Sequence, residues 1–334
     1  MAGLVLNAFR RPDAVHLAAQ LEALMVAGDL RGMGRVRDRG YRDYLMPAVQ
    51  LLLQHRQRVA IVSGFPVNGQ YETDGPAGAI ALANGLRALG AEVSLLGIRD
   101  YAEALIEAMP AALAHGNALA AAVVPVDRET SECQLSEFVR SFDPTLVIFI
   151  EVPGVGADGH YRNMRFEDIA SGTLPWESLL PLLRCPTLAI ADGGNELGMG
   201  RIQEKLEHLP VACASAATDA LVIADVSNWG AYGILALASV CSGQPLLQGF
   251  NLPRCLNALV NAGMIDGVTR CAVATEDGLP LVRSLSFIQG VQAMSSELMA
   301  TVRTQKAVSS RRTELPDKAV QDSPVVRHPT AETV

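Results

Sequence analysis

Aromatic residues are scarce, 5% of a 334-residue chain with only two tryptophans, and no apolar run reaches the ~18 residues that a bilayer-crossing helix needs. No membrane partner is expected. Basic clusters are also missing: 27 Lys and Arg stand against 35 Asp and Glu, a net charge of −8, which argues against nucleic acid because phosphate contact needs a concentrated basic surface. The six cysteines (Cys133, Cys185, Cys213, Cys241, Cys255, Cys271) lie far apart with no C-x-x-C and no Cys/His ligand spacing. This pattern predicts reduced thiols, not a zinc site or a disulfide framework. The first residues, MAGLVLNAFRRPDAV, show no signal-peptide h-region or cleavage site, so a cytoplasmic setting is the expectation. Internal repeats and a Walker A loop are absent.

What is present is apolar patterning: 49% of residues are hydrophobic, enough for one large core. Helical spacing occurs at 13–27 and Tyr44 to His55, and a β-branched run, Arg58 to Ser63, predicts the first strand. Pro76 opens a predicted helix that Gly90 ends. Further strand-like runs (Ala91 to Gly97, Leu119 to Val126, Thr145 to Glu151, Thr187 to Ala191, Asp219 to Val226) alternate with helical patterns at Tyr101 to Ala112, Ser131 to Phe142, Trp176 to Leu183, Asn195 to Glu207 and Ala231 to Val240. That rhythm predicts an α/β fold, a mostly parallel sheet with helices on both faces. Helices at Leu252 to Ala262 and Phe287 to Arg303 close it, with an edge hairpin over Cys271 to Val282. The expected division is 1–57 as N-terminal helices packed on the main domain, 58–303 as that domain, and 304–334 as a disordered tail.

The most informative stretch is TLAIADGGNELGMG, Thr187 to Gly200, where a buried strand runs into two acids and an amide on a glycine turn. Asn195 or Asp192 is expected to cap a helix that Glu196 begins. Polar irregular segments leave three other predicted strands directly: Ser63-Gly64 to Gly78, Glu151 to Ile169, and Ser227 to Gly230. In a parallel sheet all four meet at the carboxyl edge, where ligands collect. The expected pocket holds Glu72, Asp74, Asp158, Asp168, Asp192 and Glu196 as acids, with Asn68, Asn163, Asn195 and Asn228 as amides. Arg162, Arg165 and Arg201 supply cations, and His160 is the one histidine considered as a base. Crowded carboxylates either raise one another's pKa, permitting proton transfer near neutrality, or hold a hard cation. Gly154 to Gly159 matches G-x-G-x-x-G by letter, but a polar stretch follows it instead of an apolar helix.

Four segments, SGFPVNGQYETDGPAGA, DGHYRNMRFEDIA, IADGGNELGMG and ATDALVIADVSNWGAYG, closely resemble the D-glutamate cyclase family, in the same order over roughly Arg31 to Gln289. Phe166, Ala191 and Val155 depart from the family pattern. The resemblance implies an α/β hydro-lyase converting D-glutamate to 5-oxo-D-proline with loss of water. On the residues, Asp192 or Glu196 is expected to take the amine proton and Glu72 or Asp74 to protonate the departing water. Ser63 and Gly64 are candidate oxyanion contacts, and Asp158, Arg162, Asn163, Arg165, Asn195, Ser227 and Asn228 are candidate substrate contacts. The reaction requires no cofactor; a divalent cation, Mg²⁺ or Ca²⁺, is a candidate at Asp192 and Glu196. The alternatives are a metal-dependent enzyme on another amino acid or acidic metabolite, and a non-enzymatic small-molecule binder. A homo-oligomer stays open. The glycine turn also resembles the G-D-G-x-N-D segment of haloacid-dehalogenase-type phosphatases, whose D-x-D motif this chain lacks.

Overall fold

The computed structural model describes residues 9, 11–112 and 122–313. Six strands form one parallel sheet: β1 (Arg58–Ser63), β4 (Glu92–Ile98), β5 (Ala122–Val126), β6 (Leu146–Ile150), β7 (Thr187–Ala191) and β8 (Ala220–Ile223), in the order β5-β4-β1-β6-β7-β8. β6 and β7 are buried throughout, as strands covered on both faces must be. The third and fourth of the six strands in chain order lie on opposite sides of β1, so the winding reverses between β1 and β6. In an open parallel sheet such a reversal leaves a crevice at the strand carboxyl ends.

Helices surround the sheet: α1 (Pro12–Met25), α2 (Met33–Asp38), α3 (Leu45–Gln54), α4 (Pro76–Ala88), α5 (Arg99–Ala112), α6 (Ser131–Phe142), α7 (Gln203–Leu206), α8 (Ser227–Ser242), α9 (Leu252–Asn261) and α10 (Leu281–Thr313). α8 is apolar around its whole circumference, and every residue from Ser227 to Cys241 is buried. It packs against α1, α3, α4, α10 and β7. A methyl group at Gly230 would lie 2.6 Å from the Ile190 side chain, so the glycine lets the helix seat directly on β7. The N-terminal helices share the single large core with the sheet. Asp225 ties them down at the sheet rim, accepting the Gly28 and Leu30 N–H groups at 2.5 and 3.1 Å.

Several expectations need correction. No helix starts at Asn195: residues 195–199 are irregular, a 3-10 turn spans Gly200–Ile202, and α7 covers only Gln203–Leu206. The Gly198 and Gly200 N–H groups donate to Ala216 O at 3.0 and 3.1 Å, so tertiary partners take the bonds a helix would have used. Cys271 to Val282 forms no edge hairpin; it contains only a tight turn bridged at Glu276 and Leu279, and the sheet edges are β5 and β8. A small hairpin does occur at β2 (Pro66–Val67) and β3 (Gln70–Tyr71). Its turn, Asn68-Gly69, has φ of +50° and +75°, the backbone that Asn-Gly favours, so this signal was in the sequence. Ser227 to Gly230 is the first turn of α8, not a loop. α10 starts at Leu281 and runs to Thr313, ten residues past the predicted end at Arg303. The rest of the expected tail, 314–334, and residues 119–121 of the third predicted strand lie outside the described residues.

Candidate active site

At the reversal point the exits of β1, β6, β7 and β8 bring carboxylates together with almost no water around them. Glu72, Asp74, Glu151, Asp192, Glu196, Glu276 and Asp277 are all buried. Asp74 lies in the turn before α4, and the α8 N-terminus faces it: the Ser227 and Asn228 N–H groups donate to its carboxylate at 2.9 and 2.8 Å. This helix end supplies the partial positive charge that a buried anion needs. The Ser227 N–H also reaches Asp192 Oδ2 at 3.2 Å, so one donor draws the two aspartates together. Glu151 leaves β6 with φ of +48°, a strained backbone for a residue with a side chain, and accepts the Ser227 hydroxyl at 2.5 Å. Gly75, at φ +95°, has to be glycine: a Cβ there would sit 2.7 Å from Glu151 Cβ.

The DGGNE turn is held by its own glutamate. Glu196 accepts the Gly193 and Gly194 N–H groups at 2.6 and 2.7 Å, which ties the loop into a ring. Arg31, from the link after α1, inserts a guanidinium into the cluster. It grips Asp277 with two bonds of 2.7 and 2.6 Å and meets Asp192 Oδ2 at 2.7 Å. Burial works to lower the Arg31 pKa, yet Asp192 and Asp277 outweigh it and hold the group firmly charged. Burial pushes Glu72, Asp74, Glu151 and Asp192 well above the usual carboxylate range, and repulsion from neighbouring acids adds to it. Arg31 draws back Asp192 and also Glu72.

The candidate residues divide into three groups. Glu72, Asn163, Arg165, Asp192, Asn195 and Glu196 line a cavity of about 30 Å³ above the cluster, together with Arg31 and Glu151. Asp74, Ser227, Asn228 and Ser63 lie beneath it as support. Asn228 has no capacity left for a ligand, since its oxygen accepts the Gly75 and Gly78 N–H groups and its amide donates to Thr73 O and Glu276. Asp158 and Arg162 stay on the surface, paired with each other at 2.7 Å, and His160 is exposed too. Gly64 faces the Tyr101 ring, away from the cavity. Asn68, Asp168 and Arg201 are exposed as well and do not line the cavity, so the convergence expected of Asp158, His160, Arg162, Gly64, Asn68, Asp168 and Arg201 is absent. Arg31, Glu151, Glu276 and Asp277 were not among the candidates; only Glu151, at the strand exit, carried a local signal.

Two three-acid groups in the cluster have ligand atoms within 4.8 Å of one another, Asp74-Asp192-Asp277 and Glu151-Asp192-Glu196, and Asp192 belongs to both. All-oxygen donors of this kind fit a hard cation such as Mg²⁺, Mn²⁺ or Ca²⁺.

A doubly wound parallel sheet with buried carboxylates gathered at its winding reversal defines an α/β protein with an acidic candidate site at the strand carboxyl ends. The chain belongs to the D-glutamate cyclase-like, C-terminal family, which it matches over residues 21–292. Mitochondrial D-glutamate cyclase from Homo sapiens is 31% identical over 223 residues, covering 61% of this chain and 35% of that protein. The crystal structure of RecJ in complex with Mn²⁺ from Thermus thermophilus overlaps 94% of this chain and 47% of its own at TM-score 0.31 and 14% identity, too slight a likeness to carry an argument. No helix among the described residues is long and apolar enough to cross a membrane.

Proposed function

We propose that the acid pocket catalyses the dehydrating cyclisation of D-glutamate to 5-oxo-D-proline. The supporting observation is the Asp74-Asp192 pair, two buried carboxylates within 4.8 Å that share the Ser227 N–H, beneath a cavity in a chain of the cyclase-like family. Two such acids hold one proton between them more readily than two charges. Asp192 faces the cavity and Asp74 lies behind it. The substrate's α-ammonium is drawn to the acidic floor, and Asp192 takes its proton. The freed amine attacks the γ-carboxyl carbon, forming the C–N bond of the ring. The C–O bond then breaks, and the two protons shed by nitrogen end on the departing oxygen as water. Arg165 and Asn195, on the cavity wall, are placed for the α-carboxylate. Because both reacting groups belong to one molecule, the protein's task is to fold the substrate and move protons.

A space of about 30 Å³ holds roughly one water, so binding of glutamate requires the cavity to widen. Phe65 and Val67 of its lining belong to a small apolar cluster with Ile169 and Ile265, separate from the main core. Incubation with D- and L-glutamate, followed by chromatography for 5-oxoproline, tests the reaction. Turnover of D-glutamate that Asp192→Asn abolishes is expected. Absence of oxoproline from either isomer with folded protein refutes the reading.

A further inference from the structure

The two acid groups that share Asp192 are neutralised very differently. In Asp74-Asp192-Asp277 the protein supplies its own cation, because Arg31 bonds Asp192 and Asp277 while the α8 N-terminus serves Asp74. In the other group, Glu151 and Glu196 have only neutral donors. Glu151 receives a serine hydroxyl and Glu196 receives two backbone N–H groups. Asp192 is shared, and its bonds to Arg31 and Ser227 both go to Oδ2.

Glu72 is 6% exposed, its carboxylate makes no hydrogen bond or ion pair among the described residues, and the acids that repel it most are Asp277 and Asp74. Its position is specifically accommodated. A Cβ on Gly267 would lie 1.7 Å from Glu72 Oε2, so that glycine leaves room for the carboxylate. Glu72 lines the same cavity as Glu151, Asp192 and Glu196. Four carboxylates thus face the cavity against two guanidinium groups, Arg31 and Arg165, a formal excess of two negative charges. A buried carboxylate without partners is costly unless something meets it.

We propose that Glu151, Asp192 and Glu196 bind one divalent cation, with the Glu72 carboxylate facing the same cavity and Asp192 shared with Arg31. Hard cations take oxygen ligands at about 2.0–2.6 Å, so opposite ligands lie about 4–5 Å apart, in keeping with a three-oxygen group contained within 4.8 Å. A cation there leaves Arg31 paired with Asp192 and Asp277. A divalent cation held by these residues would supply Lewis-acid polarisation of a carboxyl oxygen in the cavity. The inference concerns binding and does not depend on which amino acid is turned over.

The test is Mn²⁺ binding to chelator-treated, dialysed full-length protein, with free Mn²⁺ read by electron paramagnetic resonance and Mg²⁺ and Ca²⁺ as competitors. One Mn²⁺ per chain is expected. Glu151→Gln and Glu72→Gln should each weaken it at least tenfold, while Glu137→Gln on exposed α6 leaves it unchanged. Glu72→Gln breaks no hydrogen bond, so it stays informative if Glu151→Gln fails to fold. Lack of stoichiometric binding by folded protein, or binding that both variants retain, overturns the proposal. Stabilisation by methylammonium with no binding of any of the three metals also overturns it, and would assign the pocket to a substrate ammonium. Because the readout is affinity, a cation site without cyclase activity and cyclase activity without a cation site are told apart.

Discussion

Removing the Asn228 side chain tests the clamp beneath the site. Its four hydrogen bonds, at 2.6 to 3.1 Å, join the turn before α4, the α8 N-terminus and the Glu276 loop, and all four are buried. At about 1 kcal/mol net per bond, Asn228→Ala should cost about 4 kcal/mol, with the cost rising if the orphaned Gly75 and Gly78 N–H groups find no water. For a chain of this size that lowers Tm by roughly 8–16 °C, read by calorimetry and by urea unfolding with an unchanged m-value. Asn228→Asp is a sharper companion. It keeps the acceptor but sets a carboxylate where an amide now donates to Glu276 Oε1 at 2.8 Å, and it should lose at least as much. A loss below about 1 kcal/mol in Asn228→Ala would refute the view that this residue binds the three segments together.

Gly267→Ala should fold, since its backbone is outside the left-handed region, at an overpacking cost of about 1–3 kcal/mol; circular dichroism and a urea titration measure it. The new methyl displaces the Glu72 carboxylate, so any oxoproline-forming activity should fall far more than stability does, and equal losses in both would argue that Glu72 merely packs. Asp266 governs acid sensitivity. Burial pushes its pKa up, but N–H groups of Val268, Thr269 and Gly278 and the Thr275 hydroxyl, at 2.7 to 3.0 Å, more than offset this and lower it. Its stabilisation is therefore complete above the unfolded carboxylate value near pH 4 and is lost as pH falls through the lower folded value. Asp266→Asn should show a lower Tm at pH 7 and a shallower decline between about pH 5 and 2 than the parent, and parallel curves would exclude the assignment.

Much of the framework was legible locally. Strand and helix periods specified the alternation, and β1, β6 and β7 fall where apolar runs occur because a strand buried on both faces has to be continuously apolar. Polar segments at the strand exits marked the rim where the buried carboxylates gather, and Glu72, Asp192, Asn195 and Glu196 line a cavity there. The pattern failed where backbone bonds are made at a distance. DGGNE reads as a helix start, but Glu196 closes the loop on itself, Val152 accepts the Leu197 N–H and Ala216 accepts those of Gly198 and Gly200. Asp158 and Arg162 share a loop with the cavity-lining Asn163 and Arg165, and no sequence period distinguishes the side chains of an irregular segment that point inward.

The sequence by itself determined a parallel α/β chain with acids at its strand exits, because hydrophobic spacing and glycine turns act over a few residues. Only the tertiary structure decided which charges meet. Arg31 comes from before the first strand and Asp277 from after α9, a separation of 246 residues, yet they make a two-bond pair beside Asp192. Nothing in either neighbourhood encodes that contact. It arises because the sheet order sets β1, β6, β7 and β8 exits around one crevice, and the buried carboxylates gathered there require a cation that chain topology alone can deliver.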